Sequence, residues 1–99
     1  MTSGKISDYD AEATGIAALA FIASDAELMN RFLATSGINP DSIRKAAGEP
    51  GFLAGVLDFI LAHEPTLLRF AAETGRNPAS ILAARRILPT GNDEYDRST

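Results

Sequence analysis

Few residues in this chain are suited to chemistry, and their spacing limits what they can do. His63 is followed by Glu64, the opening pair of the zinc-protease signature His-Glu-x-x-His, but position 67 is Leu and the chain has a single histidine. That signature needs two imidazoles one helical turn apart, so His63 reads instead as a ring whose partial positive charge suits a helix C-terminus. Asp25 and Glu27 stand two apart near a predicted helix start, where carboxylates complement the helix dipole rather than form an acid–base pair. The serines and threonines fall mostly at predicted helix ends, and no Gly-x-Ser-x-Gly elbow presents one as a nucleophile. With no cysteine there is no thiolate, disulfide or zinc–sulfur chemistry. The expectation is a protein that is not an enzyme, with no catalytic, cofactor-binding or metal-binding residues.

Three residues remain as candidates for partner recognition: Asp58, Arg85 and Arg86. On a helical wheel Asp58 shares a narrow stripe with Gly51, Gly55 and Ala62 in an otherwise apolar segment. Two readings stay open. The stripe is a solvated or arginine-paired edge, because carboxylates are rarely buried alone. Or it is a shallow groove floored by small residues, in which Asp58 accepts a partner's cation or helix. Arg85 and Arg86, with Leu82 between them on the wheel, either complement the end of the last helix or form a basic and apolar contact surface.

The elements that position these residues follow from periodicity and punctuation. Segments 10–23, 25–35, 40–47, 51–63, 65–74 and 78–88 read as six helices, bounded by prolines at 40, 50, 65, 78 and 89. No stretch alternates apolar and polar residues over the length of a strand. In the second helix Leu28, Met29, Phe32 and Leu33 form one apolar stripe, and Glu27 and Arg31 are spaced for a weak surface pair. The first and fourth helices carry large apolar residues all round, which predicts that they are buried and pack against each other, with Leu57 and Phe59 deep in the core.

Residues 19–46 align with 57–84 at an offset of 38 without a gap, and twelve of the 28 pairs are identical. A period of this size is typical of duplicated helical units. The densest shared block reads Arg-Phe-x-Ala-x-x-Gly-x-Asn-Pro-x-Ser-Ile-x-x-Ala in both halves. Gly37 and Gly75 suit a helix end that needs positive φ, Asn39 and Asn77 suit N-caps, and Pro40 and Pro78 suit the first helical position. The block is a hinge between helices. Its glycines do not cluster as they do in a phosphate loop.

Ninety-nine residues make one domain. The body, residues 13–92, holds seven basic and seven acidic side chains, and the net charge of −4 resides in the two ends. Residues 1–9 read as a flexible N-terminal tail and 90–99 as a flexible acidic C-terminal tail on a single helical domain, 10–89, with residues 1–12 contributing −2 and 93–99 another −2. A neutral body argues against general phosphate-backbone binding. The helix that follows the first hinge offers only Arg44 and Lys45, a weak set for reading bases. The uncharged stretch 13–24 is 12 residues, short of the roughly 20 that cross a membrane. The first ten residues lack the pattern of a secretory signal. A cytoplasmic location is expected, with neither a membrane nor a small-molecule ligand as partner.

The run Val56-Leu57-Asp58-Phe59-Ile60-Leu61 with Ala62-His63-Glu64 resembles the central motif of a small bacterial family, domain of unknown function 3572. Ser36-Gly37-Ile38-Asn39-Pro40-Asp41 and Pro50-x-Phe52-Leu53 fit the same pattern, over roughly residues 11–89. Arg76 stands where that pattern has an aliphatic residue after the second Thr-Gly. The resemblance implies an all-helical cytoplasmic protein and supplies no catalytic residue. Sequence reasoning therefore predicts a compact all-α six-helix bundle of two similar three-helix repeats. Its expected role is non-enzymatic: binding a protein partner, or itself, through a groove or helix face. The alternative is a nucleic-acid-associated protein using its arginine-bearing edges, whose binding would weaken steeply with salt.

Overall fold

Four of the helical segments begin at a residue whose side chain caps the first turn. Ser7 starts the first helix, its hydroxyl accepting the Asp10 N–H at 3.1 Å. Asp25 caps the second, accepting from the Glu27 and Leu28 N–H groups. Asn39 and Asn77 accept from the N–H two residues on, each with proline at the start of the following helix. Gly37 and Gly75 end their helices at φ of +76° and +68°, a left-handed turn that glycine adopts without Cβ strain. The hinge geometry expected from the shared block is thus present at both places.

The computed structural model describes residues 7–90. Its elements are α1 (Asp8–Ala23), α2 (Ala26–Ser36), a 3₁₀ turn (Pro40–Ser42), α3 (Ile43–Ala46), α4 (Phe52–Leu61), α5 (Glu64–Thr74) and α6 (Pro78–Ile87). The described chain is all-α, six helices with no strand. No described helix is long and apolar enough to cross a membrane. The expected tails lie outside the described residues, except that residues 7–9 cap and begin α1 and that Thr90 is included.

α1 packs along both α4 and α6, and α4 also meets α2, α5 and α6. The core between them is aliphatic and aromatic: Ile22, Val56, Leu57, Ile60, Phe70 and Ile81 are fully buried. Rings tie the outer helices to it, with Phe21 and Phe70 centred 5.3 Å apart and Phe32 meeting Phe59 edge-on at 5.5 Å.

Three expectations need correction. α1 is not buried all round: Ile16 is 55% exposed and Ala20 faces solvent. Phe59 is half-buried rather than deep, while Leu57 is fully enclosed. A domain of this size has too little interior to cover every face of two helices. The helix expected over 40–47 is a 3₁₀ turn followed by a single α turn. In α6 the corresponding block buries Ile81 and Ala84, but Ile43 and Ala46 are only half-buried. Without an enclosed face the costly helical nucleus is not propagated.

Candidate functional site

The small residues that face outward from α4 sit opposite the polar edge of α2, and the space between them is an open groove of about 510 Å³. This volume is within the range of small-ligand and side-chain pockets. α4 and the turn after it supply Gly55, Asp58, Phe59, Ala62 and His63. α2 supplies Arg31, Phe32, Thr35 and Ser36. The Phe59 ring forms the apolar wall, held edge-on by Phe32, which in turn meets Phe52 edge-on at 6.1 Å. The guanidinium carbon of Arg31 stands 5.9 Å from the centre of the Phe59 ring, an arrangement that gains from the ring's negative face.

Asp58 and Arg85, nominated separately by sequence, meet here. The Arg85 Nε donates to Asp58 Oδ1 at 2.6 Å, joining α6 to α4. The Asp58 side chain is 57% exposed, against 24% for Arg85. The pair is a surface ion pair, of the kind that contributes about 0–1 kcal/mol. Arg86 does not join them: it is exposed, and among the described residues it makes no ion pair. Leu82 is 41% exposed beside these arginines.

His63 occupies a different place from the one expected. Ala62 caps the C-terminus of α4, and His63 is the extended N-cap residue of α5. Its Nδ1 shares a 2.7 Å hydrogen bond with the hydroxyl of the buried Thr66. The ring therefore fixes the α4–α5 turn instead of complementing a helix C-terminus. Among the described residues, no three of His, Asp and Glu converge as metal ligands would.

A second charged cluster lies at the start of α2. While Asp25 Oδ1 caps the helix, its Oδ2 accepts from Arg69 Nη2 at 3.0 Å, and Arg69 Nε donates to Glu73 at 3.3 Å. The Arg69 guanidinium stands over the Phe21 ring at 4.9 Å. The hydrogen bond from Arg69, helped by the backbone N–H of Leu28, holds the Asp25 carboxyl below the ordinary carboxylate range. The same contact raises the Arg69 guanidinium further.

Sequence reasoning did not include Arg31 and Phe59 in the site. It placed Arg31 in a surface pair with Glu27, but the described structure forms no such ion pair. The signal was present in the offset of 38, which equates Arg31 with Arg69 and Phe59 with Phe21. In space each arginine stands over the phenylalanine of the other half.

These helices and this groove define a small all-α domain with an open, mostly apolar cleft. The chain matches the family model described as a protein of unknown function, DUF3572, over residues 8–91, and belongs to that family. No curated protein and no solved structure matches the chain.

Proposed function

We propose that this protein is a non-enzymatic interaction module that receives an apolar segment of a protein partner in the groove between α2 and α4. The observation that carries the reading is the half-exposed aromatic wall of Phe59 above a floor of Gly55 and Ala62. A half-exposed ring beside residues too small to cover it is suited to a side chain from outside. The offset of 38 supports a further element of the reading, that the domain arose by duplication of a three-helix unit, and the absence of cysteine supports action in the cytoplasm. Arginine compensation favours a protein partner over nucleic acid. Arg85 is met by Asp58, and Arg69 by Asp25 and Glu73. The seven basic side chains of residues 13–92 are balanced by seven acidic ones, so the body carries no net positive charge for phosphates.

Filling the groove tests the reading. A Cβ at Gly55 meets nothing within 4 Å, so Gly55→Leu projects into the cleft without disturbing the core. Wild-type and Gly55→Leu proteins serve as paired baits in native lysate, with quantitative mass spectrometry of what each retains. A polypeptide retained by wild type and lost from a variant of unchanged melting temperature supports the groove. Identical recoveries overturn it. Capture of a second copy of the chain, lost in the same variant, identifies the partner as self.

A further inference from the structure

Of the three arginines that stand over phenylalanines, Arg31 and Arg69 occupy equivalent positions at the offset of 38 but differ in the carboxylates around them. Arg69 is met by Asp25 at 3.0 Å and by Glu73 at 3.3 Å. At the offset of 38, the positions that correspond to Asp25 and Glu73 are His63 and Thr35. Both line the α2–α4 groove beside Arg31. Among the described residues no carboxylate lies within ion-pair distance of Arg31, although Glu27 is one turn away on the same helix. The groove's own carboxylate, Asp58, is already engaged by Arg85. The charge left without a partner in this cleft is therefore positive. That reverses the sign suggested by Asp58 alone.

We infer that the partner segment entering the α2–α4 groove sets a carboxylate on Arg31 beside a large apolar side chain that covers Phe59. The inference rests on the groove reading and adds the partner's chemistry: an acidic, amphipathic stretch of polypeptide. Arg69 shows the geometry within the same fold. Its guanidinium keeps a face on the Phe21 ring while its edge donates to two carboxylates. Arg31, its guanidinium carbon 5.9 Å from the centre of the Phe59 ring, has neither acceptor supplied. A charge-assisted hydrogen bond next to an apolar wall is among the stronger single contacts available to a small interface.

The probe is a capped, helix-stabilised peptide with leucine and glutamate four residues apart, compared with analogues carrying glutamine or lysine in place of the glutamate. Binding is followed by the amide resonances of Gly55, Phe59 and Ala62 and by the Arg31 Nε–H. The glutamate peptide is expected to shift these resonances and to bind roughly tenfold more tightly than the glutamine analogue at low ionic strength. Added salt narrows the difference. Arg31→Gln removes the preference, and Arg31→Lys keeps part of it. Equal binding of the glutamate and glutamine peptides in the groove overturns the inference and leaves the groove reading standing. Preference for the lysine analogue also overturns it and returns the recognition role to Asp58. If no peptide shifts the groove resonances, the groove reading falls as well.

Discussion

Arg69 lies with its guanidinium carbon 4.9 Å above the ring of Phe21 while its nitrogens reach Asp25 and Glu73. One side chain of α5 thereby fastens the end of α1 and the start of α2. The aromatic face holds the flat side of the guanidinium, and the two carboxylates take its edge. Because Asp25 is also the N-cap of α2, charge and capping are concentrated in one residue.

This gives stability a defined dependence on acid. Asp25 titrates below its ordinary value of 3.8, chiefly because of the bond from Arg69. A depressed folded-state pKa contributes stability that is present above the unfolded value and lost as pH falls through the folded one. Asp25→Asn keeps an N-cap oxygen and removes the charge. Urea midpoints for wild type and Asp25→Asn are expected to differ at pH 6 and to converge as the pH falls below 3.8 and through the lowered folded-state value, with the wild-type curve the steeper between.

Core substitutions separate the two aromatic and aliphatic positions that sequence placed together. Leu57 is fully enclosed, and Leu57→Ala is expected to cost about 2–5 kcal/mol by equilibrium denaturation. Phe59, half exposed on the groove, has neighbours on one side only. Phe59→Ala is therefore expected to cost less than Leu57→Ala and to impair partner binding more. The reverse order on either measure contradicts the assignment of core and groove.

Asp58→Asn removes a surface charge pair rather than a buried one. The expected loss is about 0.2–1 kcal/mol, diminishing in high salt. A double-mutant cycle with Arg85→Gln isolates the coupling between them. A coupling of several kcal/mol at this site would require a more enclosed pair than the structure shows.

Gly55 offers a gain of stability at the expense of binding. It is an exposed residue inside α4, with open space around an added Cβ. Gly55→Ala is expected to stabilise the helix by about 0.5–1 kcal/mol, while its methyl narrows the cleft and weakens association. By contrast, Gly37→Ala and Gly75→Ala, at positive φ, are each expected to destabilise by about 1–2 kcal/mol. Melting temperatures distinguish the two classes directly.

Much of the fold was legible because its signals are local. Gly37 with Asn39-Pro40, and Gly75 with Asn77-Pro78, specify a helix stop and start within four residues, and both occur as read. The pairing of Asp58 with Arg85 spans 27 positions and needs the α4–α6 packing before it exists. Phe59 was overestimated because a wheel that is apolar all round does not say which side the domain has material to cover. Arg31 was misread for a related reason. Its helical neighbour Glu27 was visible in sequence, but the ring that won the contact comes from another helix. The same residue pattern gave ten residues of α6 and one turn of α3, because propagation depends on a buried face that the local code does not supply.

One close approach governs how the groove can change shape. A Cβ built on Gly15 would come within 2.9 Å of the Leu53 Cβ, so α1 and α4 are notched together at this level. Sliding either helix along the other would drive a full side chain into that notch. The pair is axially keyed, and the floor of the cleft is rigid with respect to the core. The opposite wall, α2, is moored as well: Leu28 and Phe32 are each 3% exposed, so prising the cleft wider would draw both side chains out of the core.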